Sequence, residues 1–126
     1  MGTHKILVVE DNALNMKLMR DVLEHAGFEV VGAGTGEEGV RLAGEVAPDL
    51  VLMDLQLPGM DGTEAFRRIR AAGATELVPI VAVTASAMPA DRDAASAAGF
   101  DGFLEKPVSV RALPAQVSSY LKKSAS

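Results

Sequence analysis

Lys5-Ile6-Leu7-Val8-Val9-Glu10-Asp11-Asn12 is an apolar run that stops on two acids and a helix-capping asparagine. It shows no alternation of apolar and polar residues, which is the pattern of a parallel strand buried on both faces. Leu50 to Met53 repeats the plan and runs into Asp54, and Ile80 to Val83 repeats it again and runs into Thr84. Glu29 to Ala33 and Gly102 to Leu104 are weaker strand candidates, giving five.

Helical patterns separate the strands. Asn12 is placed to cap a first helix, with Leu14, Leu18 and Val22 expected to form its apolar stripe and Gly27 to stop it. Thr35 with Glu38, and Asp61 with Glu64, have capping-box spacing for helices two and three. Pro89 or Asp91 opens a fourth helix that runs to Ala98 and ends at Gly99. Ser109 marks the start of a fifth, on which Leu113, Val117 and Leu121 share a face. Pro114 is costly inside a helix, by about 3 kcal/mol, so this helix is expected to start late or to kink. The domain is expected to span 4–122, with Lys122 as the start of a polar run and 123–126 as a tail.

Strands alternating with helices imply an α/β doubly wound parallel sheet. Right-handed crossovers leave few topologies, and the flavodoxin-like order 2-1-3-4-5 with five helices is the expected one. A ligand then belongs beyond the carboxyl ends of strands one and three. Glu10 and Asp11 stand at the first of those ends and Asp54 at the second, with Thr84 after strand four and Lys106-Pro107 after strand five. Carboxylates forced together repel one another unless a cation joins them. An oxygen-only ligand set suits a hard ion such as Mg²⁺, which takes few carboxylates plus a phosphate. An ammonium and a hydroxyl beside it can hold a phosphoryl group. The residues therefore point to a Mg²⁺-dependent phosphoryl site with Asp54 as candidate nucleophile.

Over Lys5 to Leu121 the chain resembles the receiver domains of two-component response regulators, the CheY-like family. The segments that carry the resemblance are Lys5 through Asn12, Asp49 through Asp54, Leu57-Pro58-Gly59-Met60-Asp61-Gly62, Val83-Thr84-Ala85 and Phe103-Leu104-Glu105-Lys106-Pro107. The stretch Val9 to Leu18 looks most like that of stand-alone DivK-type receivers. The resemblance implies that Asp54 accepts phosphate from the phosphohistidine of a histidine kinase or histidine phosphotransfer protein. It implies Mg²⁺ on Asp11 and Asp54, with Glu10 acting through a water and Gln56 through its backbone carbonyl. Lys106 and Thr84 would contact the phosphoryl oxygens, and Phe103 would be an aromatic switch behind Thr84. Many relatives carry Tyr at that position, so Phe103 departs from them in lacking a hydroxyl. The Lys106–Pro107 bond is expected cis, and Gln56 and Ser86 stand where side chains tune the lifetime of the acyl phosphate. Output is expected through the helix four, strand five, helix five surface to a downstream protein effector. A phosphate relay and a phosphorylation-independent binding module are the competing readings.

Composition excludes other classes. Zero Cys removes disulfides and thiolate chemistry, and a net charge of −5 with no basic stripe argues against nucleic acid. No apolar run approaches the roughly 20 residues of a membrane span, and the amino-terminal residues lack a signal-peptide pattern, so a cytoplasmic location is expected. Gly34-Thr35-Gly36-Glu37-Glu38-Gly39 matches a dinucleotide fingerprint, but its two glutamates stand where a pyrophosphate would dock. Asp61-Gly62-Thr63 resembles a phosphatase nucleophile motif, yet Gly59 occupies the nucleophile's place. His4 and His25 have no metal-ligand spacing.

Overall fold

The runs without alternation become strands buried on both sides, and the order of elements follows from them. A computed structural model describes residues 4–57, 59–60, 62–71, 78–85 and 88–125. The chain runs β1 (Lys5–Val9), α1 (Ala13–His25), β2 (Glu29–Ala33), α2 (Gly36–Val46), β3 (Leu50–Asp54) and α3 (Gly62–Ala71). It continues through β4 (Ile80–Thr84), α4 (Pro89–Ala98), β5 (Gly102–Glu105) and α5 (Leu113–Ala125). The five strands form one parallel sheet in the order β2-β1-β3-β4-β5. Fold class and strand order are those expected.

Alternate residues of each strand feed two separate cores. Ile6, Val8, Leu50, Leu52, Val81 and Val83 pack with Met19 and Leu23 of α1 and with Leu113, Val117 and Leu121 of α5. Leu7, Val9, Val51, Met53, Ile80 and Ala82 pack on the other face with Ala43, Ala65, Phe66, Ile69 and Ala95 from α2, α3 and α4.

The caps behave as the residue types require. Asn12 accepts the Asn15 N–H at 2.9 Å, and Thr35 accepts the Glu38 N–H at 3.1 Å. Glu38 Oε1 in turn accepts from the Gly34 N–H. Gly27 and Gly99 take φ of 101° and 108°, which suits glycine just past a helix. Pro114 falls in the first turn of α5, which starts late, after a turn in which Ser109 Oγ accepts the Ala112 N–H. The Lys106–Pro107 peptide is cis. Asp61, Pro58 and Ser86 lie outside the described residues.

One expectation fails. Of the expected α1 stripe Leu14-Leu18-Val22, Val22 packs against the core, but Leu14 is 76% exposed and Leu18 37%, while Met19 and Leu23 are buried. Two apolar ladders run along this helix, and β2 selects between them. Gly32 leaves a recess on the sheet, where a Cβ would stand 2.7 Å from Arg20 and 3.0 Å from the Met16 sulfur. The ladder through Met16, Met19 and Leu23 therefore turns inward. Helix α5 runs through Ala125, so the polar run that starts at Lys122 continues the helix.

Two of the three glycines of the rejected dinucleotide pattern serve packing, while a Cβ on Gly34 would meet nothing. A Cβ on Gly39 would stand 2.8 Å from Val9, and one on Gly36 3.1 Å from Met60, so both let α2 lie close to its neighbours.

Candidate functional site

Parallel register brings the acids together. Val9 is the Cα partner of Met53, so the chain leaves β1 into Glu10 and Asp11 beside the point where β3 ends in Asp54. Carboxylate oxygens of Glu10, Asp11 and Asp54 all lie within 4.8 Å of one another. Glu10 and Asp54 are almost wholly buried, at 3% and 2% exposure, and Asp11 faces solvent. Lys106 reaches them from the loop after β5, which is tied to the sheet by its own N–H donating to Thr84 O at 2.7 Å. Its Nζ sits 2.8 Å from Glu10 Oε1 and 2.9 Å from Asp54 Oδ2.

Backbone donors complete the cradle. Glu10 Oε2 accepts the Asn12 N–H at 3.1 Å, and Asp54 Oδ1 accepts the Gln56 N–H at 2.9 Å. Both donors stand two residues after the acid they serve, the spacing of a local side-chain turn. That spacing was open to sequence reading, although neither donor role was assigned from it.

Burial pushes the Glu10 carboxyl above its ordinary pKa, and the Asp54 charge adds to the rise; Lys106 and the Asn12 N–H oppose it without cancelling it. Burial alone would lower the Lys106 pKa, but its contacts with Glu10 and Asp54 outweigh that and hold it above the ordinary value. One ammonium therefore bridges two of the three carboxylates. The donor set is oxygen only, partly buried and in excess negative charge, which fits a hard divalent cation.

The described residues expected at the carboxyl end of the sheet are there. Thr84 is buried at the end of β4, one residue beyond Val83, the Cα partner of Asp54. Gln56 stands at the mouth, with its N–H already engaged. Phe103 is set apart from the carboxylates. It is half-buried and pairs with Ala82, so it shares a sheet face with Thr84 two residues further along β4. Arg92 of α4 lies over its ring, 5.1 Å from the centroid, a contact that nothing in the sequence announces.

Residues 6–118 match the family model for the response regulator receiver domain. The chain is 40% identical over 119 residues to the polar-differentiation response regulator DivK of Brucella ovis, covering 94% of this chain and 97% of that one. The chemotaxis protein CheY4 of Vibrio cholerae has a similar structure, with a TM-score of 0.90, 26% identity, and coverage of 94% and 99% of the two chains. So does the receiver domain of a sensor histidine kinase from Pseudomonas aeruginosa, at a TM-score of 0.87 and 35% identity, covering 96% of this chain and 99% of that one. That structure has a magnesium ion coordinated in its active-site cleft.

Proposed function

Because the chain belongs to the response regulator receiver domain family, we propose that Asp54 is the phosphoacceptor of a Mg²⁺-dependent signalling switch. The observation that carries this reading is the sharing of Lys106 between Glu10 and Asp54, with Asp11 completing the acidic set.

An Asp54 carboxylate oxygen attacks the phosphorus of a partner's phosphohistidine. The P–O bond forms as the P–N bond breaks, and the imidazole nitrogen leaves with the electron pair and takes up a proton from solvent. Such a loose transition state calls for positioning and charge stabilisation more than for acid–base groups. Lys106 turns its ammonium to the phosphoryl oxygens, and the Thr84 hydroxyl donates to one of them. Glu10, Asp11, Asp54 and the Gln56 carbonyl are the residues that would hold Mg²⁺, whose charge offsets that of the phosphoryl group. Phe103 then moves inward behind Thr84, changing the surface formed by α4, β5 and α5 for a downstream protein. The same surface, or the phosphate itself, passes the signal on. Histidine kinases or histidine phosphotransfer proteins are the phosphate donors this chemistry requires. None of the described helices is long and apolar enough to cross a membrane.

Incubation with acetyl phosphate and Mg²⁺ tests the assignment. Wild type is expected to gain one phosphoryl group by mass spectrometry and Asp54→Asn none. Phosphate incorporated in the Asn variant at the wild-type rate would remove Asp54 from its role.

A further inference from the structure

Phe103 is half-buried at the edge of the core, and its ring has no hydroxyl through which hydrogen bonds could hold it in place. What stands over it is Arg92, its guanidinium carbon 5.1 Å from the ring centroid, within the range of a cation–π contact. Arg92 makes no ion pair among the described residues, so its charge is not committed to a carboxylate. The helix that carries it is lightly held. Ala95 is the one buried side chain of α4, and its amino-terminal cap, Met88, supplies no side-chain hydrogen bond.

Space for the ring lies on the same sheet face. A cleft of about 440 Å³ is lined by Leu55, Thr84, Ala94 and Ala95, among others, and Phe103 is not in its wall. Ala82, the Cα partner of Phe103, is small, as is Ala95 on the helix above. The Arg92 guanidinium is the group that stands over the ring.

We infer that Arg92 is a positioning residue for the switch: its guanidinium holds the Phe103 ring outward, and the ring leaves it when Thr84 engages a phosphoryl group. The contact does the work that a hydroxyl would do with hydrogen bonds, and it joins α4 directly to the state of the ring. Movement of the ring into the cleft frees the Arg92 charge at the surface. The inference rests on the receiver reading above.

Calorimetric titration with beryllofluoride in the presence of Mg²⁺ reads the balance between the two ring positions. Arg92→Met keeps an apolar stem over the ring and removes the charge. An exposed cation–π contact stabilises by about 0.5–1 kcal/mol, so Arg92→Met is expected to bind the mimic roughly 2–5-fold more tightly than wild type. Arg92→Lys, which keeps a cation, should return towards wild type. In a Phe103→Leu background Arg92→Met should have no effect. Equal affinity of wild type and Arg92→Met, or a gain that persists without the ring, overturns the inference. A second reading needs no mimic: with the Phe103 ring isotopically labelled, the Arg92 δ protons should show its ring-current shift in the unliganded protein, and their absence also overturns it. Failure of wild type to bind beryllofluoride at all would be a different result, because it would remove the receiver reading on which the inference depends.

Discussion

The two ends of this sheet use acidic residues in opposite ways. At the amino end Asp49 and Asp101 are each matched. Asp49 donates its N–H to Lys5 O at 2.7 Å and accepts the Lys5 N–H on Oδ2 at 2.7 Å. Asp101 does the same for the start of β4, donating to Ile80 O at 2.9 Å and accepting the Ile80 N–H at 2.8 Å. Arg70 adds a guanidinium to Asp101 at 2.8 Å. Each of these aspartates stands just before a strand and clasps the first residue of its neighbour. At the carboxyl end Glu10, Asp11 and Asp54 stand together, and among the described residues Lys106 is the cation paired with them, through Glu10 and Asp54. A carboxylate with its own donors closes a fold, and a surplus of carboxylates over cations leaves a site waiting for charge.

Exchanging one cation at each end should separate the two roles by the widest margin. Lys106→Met removes the ammonium that faces the phosphoryl oxygens. Loss of one such electrostatic group is expected to slow phosphorylation by acetyl phosphate by roughly 10²–10³-fold. Arg70→Met should leave that rate within a factor of two and instead lower stability by about 1–3 kcal/mol, since Arg70 also donates to Val78 O and lies over Phe66. Radiolabel incorporation and urea unfolding measure the two effects. A phosphorylation defect in Arg70→Met equal to that of Lys106→Met would break the contrast.

Magnesium should act at one end only. A cation that binds the folded protein stabilises it by RT ln(1 + [L]/Kd), about 1.4 kcal/mol at ten times Kd. Wild-type Tm is therefore expected to rise with Mg²⁺, and Asp101→Asn should respond by the same increment from a lower starting point. Glu10→Gln should lose most of the response. The burial that raises the Glu10 pKa opposes the charge on that carboxylate until a cation joins it. A full Mg²⁺ response in Glu10→Gln would place the cation elsewhere.

Much of the carboxyl end was legible in one dimension because a parallel strand has a fixed direction. An apolar run ending in an acid tells which end the acid occupies, and the strand order then puts β1 and β3 side by side. Lys106 was different: its loop position carries no periodic signal, so its role rested on its place just after strand five and on the resemblance of its segment to a family. The amino end was not legible, since an aspartate before a strand reads as ordinary loop until its partner strand is known. Arg92 was hidden for the same reason, because its contact with Phe103 joins a helix to an edge strand. The inward face of α1 differs from the expected one because the sequence holds two apolar ladders, and the choice between them is made by packing on the sheet, where Gly32 leaves room for Met16.

The smallest expected effect bears on whether the amino-end acids act by charge or by shape. Asp49 is exposed, and its carboxylate accepts the backbone N–H of Lys5, while the Lys5 ammonium goes to Val46 O at 3.0 Å instead. The clasp therefore needs an acceptor oxygen more than a negative charge. Asp49→Asn keeps such an oxygen and should cost less than about 0.5 kcal/mol, within the usual range for a surface change. Asp49→Ala removes it and should cost about 1 kcal/mol, the net worth of one hydrogen bond whose donor can turn to water. Equal losses for the two variants in urea unfolding would mean that charge holds this end together as well. The two ends would then differ in their count of cations and not in kind.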